Sequence, residues 1–202
     1  MRIELTSFSG LTSLTNVQHV HGAESIKQCI RAGVKTLEHC SEIDDECLEL
    51  LKEGNSYMIA TVALYGSMLD GAEIPDFTSH LASPAAIRVR EAAIEGLKKA
   101  DEAGLVIGFG TDSGMVNLWH GQNAKGIVYY VTLCGLTPVA ALKHATIDSA
   151  EIMGEKDTKG TVKVGKIADL IVVDGDPSKD IERIADSVVM VIKGGDVITT
   201  MI

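Results

Sequence analysis

An α/β fold on a parallel sheet, followed by a separate all-β segment, is what this sequence predicts, and three observations predict it. Apolar runs of five or six residues alternate with stretches of ten or more that carry helical spacing, the signature of βαβ units. Glycine closes the helical stretches at Gly33, Gly54 and Gly104, where a left-handed residue stops a helix. Beyond Gly154 the helical period is lost, and β-branched runs are split by Gly and Asp instead.

Residues 1 to 16 have no sustained period and read as an uncertain strand followed by loop. The first strand reaches VQHVHG. The stretch after it places Ile26 and Ile30 one turn apart. VKTLEH at 34 to 39 is the second strand, and Asp44 is a good N-cap for DDECLELLKE, with Cys47, Leu50 and Leu51 on one face. YMIATVAL, 57 to 64, is the third strand. A loop of about twenty residues leads to Ser83 and Pro84, the N-cap and first position of a long helix to Ala103. LVIGFG at 105 to 110 is the fourth strand and runs into TDSG. Helical segments follow near 123 to 134 and 138 to 152, the second opened by Thr137 and Pro138. In the β segment, KIADLIVV and VVMVIKGG are expected to pair, with Asp169 and Asp174 at turns and Lys166 exposed.

Composition narrows the function classes. With 202 residues, 46% hydrophobic and 23% charged, the chain has the make-up of a globular domain and excludes disorder, collagen and a coiled rod. Its net charge of −10 repels a phosphate backbone, so nucleic acid is not an expected partner. Stretches such as IADLIVV fall far short of the roughly 20 residues of a membrane span, and no secretion signal opens the chain, so a cytoplasmic protein without membrane partners is expected. Cys29, Cys40, Cys47 and Cys134 form no CxxC pair and read as free thiols packed as small hydrophobes.

In parallel α/β sheets, reactive groups collect where the strands end, because the loops there face one cleft. His19 and His21 end the first strand, Glu38 and His39 the second, and Asp112 follows the fourth by two residues. Imidazole and carboxylate together suit Zn²⁺, Mn²⁺ or Fe²⁺, and an Asp beside a metal-activated water can take its proton. Singly, a histidine at a strand end is more often structural and a GTDSG loop a helix cap. Their common edge is what points to a site.

VQHVHG, VKTLEHC, GFGTDSG, WHGQN, LTPVAALKHATIDSAEIMG and KGTVKVGKIADLIVVDGDP together resemble the C-terminal half of the amidohydrolase superfamily, nearest its imidazolonepropionase-like and Xaa-Pro dipeptidase branch. The last segment is specific to the superfamily; HVHG and GTDSG alone are weak signals. The resemblance spans roughly residues 17 to 198. It implies strands 5 to 8 of a (β/α)8 TIM barrel over 17 to 155, then a small β-sandwich segment over 156 to 202. It also implies a hydrolase that cleaves a carbon–nitrogen bond of a small amide, cyclic amide or dipeptide with a metal-activated water. His19 and His39 would be metal ligands, Asp112 a metal ligand and the general base. His21 and His120 would contact the substrate or support the ligands. The cofactor would be a divalent metal, zinc first and manganese or iron as alternatives, weakly held.

Departures from the pattern set further expectations. Only 18 residues precede His19, too few for the family's first-strand HxH pair or its fourth-strand lysine, and Gly126 stands about where many relatives carry glutamate. Half an enzyme is therefore expected, with two other readings beside it: a non-catalytic remnant or interaction module, and one half of a split enzyme. An open half-barrel would leave an inner face, assigned to Val20, Leu37, Ile59 and Ile107, to be covered by a second copy or by a partner supplying the missing half.

Overall fold

The computed structural model describes residues 16–69, 83–115 and 117–200. The expected N-terminal strand-and-loop and most of the loop before Ser83 lie outside the described residues. Four parallel strands lie in the order β1 (Val17–Gly22), β2 (Thr36–Glu42), β3 (Tyr57–Ala60) and β4 (Ile107–Phe109). Between them run α1 (Ala23–Arg31), α2 (Asp45–Lys52), α3 (Ala63–Leu69) and α4 (Pro84–Glu102), and α5 (Ala124–Thr132) follows. α6 (Pro138–Lys143), a π turn (His144–Asp148) and α7 (Ser149–Ile152) form one continuous helical stretch. The second sheet is antiparallel, with β5 (Leu170–Val173), β6 (Val188–Lys193) and β7 (Asp196–Thr200) in that order.

Local chemistry sets most boundaries. The side chain of Asp44 accepts from the Cys47 amide, Ser83 from Ala86 and Thr137 from Ala140, so each expected N-cap is made. The face that α2 buries is Cys47, Leu48 and Leu51, with Leu50 only partly covered. The third strand stops at Ala60, because Thr61 to Ala63 turn directly into α3. The π turn is held by a buried His144, which bridges Asp148 (2.7 Å) and Asp101 at the end of α4 (3.0 Å). Ser149 ties the same turn to β4: its hydroxyl donates to His144 O and accepts from the Phe109 amide.

Register decides which face is core. Leu37, Met58 and Ile107 stand side by side across β2, β3 and β4 and are almost fully buried under the helices, as is Val20. The inner-face assignment of Val20, Leu37 and Ile107 is therefore corrected: they belong to the helix-covered side. The opposite side carries the row His19, Glu38, Ile59 and Gly108. A strand run does not reveal its phase, since both alternations of VKTLEH contain an apolar residue.

In the tail, KIADLIVV and VVMVIKGG pair as expected, and the structure makes the pairing antiparallel. A short helix, α8 (Arg183–Asp186), precedes β6 where no helix was expected, its Ile184 buried. Asp169 accepts from Lys193 and from the Gly194 amide, which fixes the β6–β7 turn. Lys166 is half-buried rather than exposed, its ammonium donating to the carbonyls of Lys156 and Lys159. The described residues form one three-stranded sheet there, and β7 is exposed along its length.

Candidate metal centre

Three imidazoles meet at the carboxyl end of the parallel sheet. His19 and His21 alternate on β1 and so share a face. By the same alternation His39 would lie with Leu37 under the helices. It does not, because His39 and Cys40 both adopt left-handed backbone (φ 74 and 49) and the β1–β2 register slips between Val20 and Gly22. Two steps on β1 face three on β2, a bulge that turns His39 back toward β1. Left-handed backbone at a non-glycine residue costs about 1–3 kcal/mol, and such outliers concentrate at functional sites.

His39 Nε2 lies 2.8 Å from His19 Nδ1, and the rings of His21 and His39 stack at 4.9 Å between centroids. Ligand atoms of His19, His21 and His39 all fall within 4.8 Å of one another. His39 Nδ1 is 2.6 Å from Thr61 Oγ1, leaving Nε2 to face the cluster. His21 Nδ1 is 2.9 Å from Ser41 Oγ, which is 3.3 Å from the Tyr65 hydroxyl.

Their surroundings favour the neutral forms of His21 and His39. Burial, then the neighbouring His19 and His21, push His39 down to about 4 against the opposing charge of Asp112. Burial and His19 also lower His21, opposed by Glu42. Glu38 is raised, by burial first and by Asp112 as well. Imidazole nitrogens converging on one point are a donor set that fits Zn²⁺, Mn²⁺ or Fe²⁺.

A pH dependence of stability follows for the metal-free chain. Above pH 6.5 the contribution of a neutral His39 is fully present. As pH falls from 6.5 toward 4, the unfolded chain takes up this proton first and stability drops. Asp44, held at about 2 chiefly by the Cys47 amide, loses its own contribution only between 3.8 and 2. Urea midpoints measured from pH 7.5 to 4.5 should fall, and His39→Gln should flatten that decline.

Asp112 is exposed, in left-handed backbone (φ 59), with its charge felt at Glu38, His39 and Tyr65. It stands beside the cluster and is not one of the three residues whose ligand atoms converge. His120 is exposed, its Nε2 3.6 Å from where a Cβ on Gly114 would sit, so WHGQN folds back over the TDSG turn. A Cβ on Gly126 would lie 2.9 Å from the Phe109 ring and 3.1 Å from Ala63, which leaves no room for glutamate. The sequence expectations passed over Thr61 and Ser41 as partners of the imidazoles, and Tyr65 as the partner of Ser41. Thr61 follows β3 directly, a position the strand-end rule could have flagged; the other two carry no signal in sequence.

Residues 14–201 match the model of the amidohydrolase family. The chain belongs to that family. This amidohydrolase chain is 31% identical over 180 residues to ochratoxinase from Aspergillus niger, covering 88% of itself and 36% of that protein. It superposes on a Xaa-Pro dipeptidase crystallised with methionine in its active site, with a TM-score of 0.78, 35% identity and coverage of 90% of this chain and 44% of that one. A prolidase in complex with N-methylphosphonate-L-proline gives a TM-score of 0.76 at 26% identity, covering 92% and 45%. The amidohydrolase chain thus spans between about a third and a half of the length of these relatives. Among the described residues, no helix is long and apolar enough to cross a membrane.

Proposed function

We propose that this chain supplies the carboxyl-terminal half of a metal-dependent hydrolase that cleaves the carbon–nitrogen bond of a small amide or dipeptide. The single observation that carries the reading is the convergence of His19, His21 and His39 within 4.8 Å at the mouth of the sheet. His19 and His39 would hold a divalent metal, zinc by preference for imidazole, with His21 or the Asp112 carboxylate completing the set. When bound, such a cation supplies Lewis acidity, lowering the pKa of water and polarising the scissile carbonyl.

In this reading Asp112 accepts a proton from the attacking water. The water oxygen bonds to the carbonyl carbon, the carbon–nitrogen bond breaks, and Asp112 returns the proton to the leaving nitrogen. Thr61 holds His39 in one tautomer, and Ser41 does the same for His21. His120 donates to the substrate. Likeness to a Xaa-Pro dipeptidase and to a prolidase complexed with N-methylphosphonate-L-proline supports a dipeptide with a proline leaving group. The sheet side that carries His19, Glu38 and Ile59 would be completed by a second copy or by a partner bearing the rest of the barrel.

Dialysis against zinc followed by quantification should leave one ion per chain. A chain that retains none would sink the metal reading and favour a non-catalytic module. Proline release from a Xaa-Pro dipeptide by the loaded chain alone would show the half to be self-sufficient. Release only on adding a second polypeptide would identify a split enzyme.

A further inference from the structure

Asn123 precedes α5 in helical backbone (φ −58, ψ −31), from which a side chain does not cap the helix, as an extended N-cap residue would. It makes no side-chain cap bond. Its Oδ1 instead accepts from Ser113 Oγ at 2.8 Å, and Ser113 Oγ lies 2.8 Å from Thr111 Oγ1. Each hydroxyl has a single hydrogen, so the two short contacts read as a chain in which Thr111 donates to Ser113 and Ser113 to Asn123. The residue between those two hydroxyls is Asp112, in left-handed backbone (φ 59).

The same segment is tied elsewhere. The Gly114 amide donates to Leu118 O at 2.8 Å, and Leu118 is fully buried with Ala63 and Tyr129. Those contacts anchor Gly114 and Leu118 and leave the aim of Asp112 to the bonds on either side of it.

We propose that Asn123 is a positioning residue: it pins the Thr111–Ser113 turn so that the Asp112 carboxylate faces the three-histidine cluster. The role rests on the reading of Asp112 as a ligand and base given above. Loss of the Oδ1 acceptor frees the turn, and Asp112 then relaxes from a backbone conformation that L-residues rarely adopt.

Two measurements on the full chain test it. In hydrogen exchange without metal, Asn123→Ala should speed exchange at residues 111 to 113. Faster exchange confined to the first turn of α5 would show an ordinary cap and overturn the proposal. In zinc titrations, Asn123→Ala should weaken binding about 10-fold, within the range for groups that orient ligands. Asn123→Asp, which keeps an oxygen acceptor, should restore it to within about 2-fold. In an Asp112→Asn background the alanine change should have no further effect, since the two act as one unit. An undiminished effect there would refute the positioning role. A wild-type chain that binds no zinc would end the metal reading, and the exchange result alone would then decide the role of Asn123.

Discussion

Replacing His39 with alanine is expected to weaken zinc binding by about 100-fold or more, at or beyond the upper end of what losing a ligand-orienting group costs. His39 links the other rings: it lies 2.8 Å from His19, stacks on His21, and is fixed from behind by Thr61. It is also nearly buried, so water that replaces its nitrogen gains no matching support. Equilibrium dialysis against labelled zinc measures the effect, and an affinity within 10-fold of wild type would remove His39 from the ligand set. A companion substitution isolates the backbone cost. His39→Gly should lose metal as His39→Ala does, yet fold about 1 kcal/mol more stably, because glycine adopts φ 74 freely. Equal stability of the two variants would mean that the bulge is not strained.

Leu37→Ala should cost about 2–5 kcal/mol, enough to remove much of the 5–15 kcal/mol that holds a typical domain together. Leu37 has no exposed surface and lies between Met58 on β3 and the helical layer. No single neighbour can collapse into the space it vacates, since the rest of that row is backbone-anchored in the sheet. Urea unfolding with a constant slope measures it. A loss below about 1 kcal/mol would instead mean that Leu37 faces an open barrel interior.

How much of this was legible in the sequence can be read from particular residues. Asp44, Ser83 and Thr137 announced their helices because a cap is a contact over three residues, and local composition encodes it. The alternation of apolar runs and helical stretches marked the four parallel strands in order, and the histidines at the strand ends are the ones that cluster. Strand length was less secure, since TVAL has strand propensity but lies where the chain turns into α3.

Other features arise only between segments distant in the chain. The face of Leu37 and Ile107 depends on which side the helices cover, and an apolar residue in each alternation hides that choice. His39 reaches the cluster through a bulge, which exists only once β2 is paired with β1 and the register must slip. Thr61 and Ser41 bond the imidazoles from 20 or more residues away, and Tyr65 in turn meets Ser41. The sequence by itself determined the residue types of the candidate site and the elements that carry them. Tertiary structure decided which nitrogens face one another, because hydrogen-bond partners and backbone twist are set by packing across the sheet, and no local pattern records them.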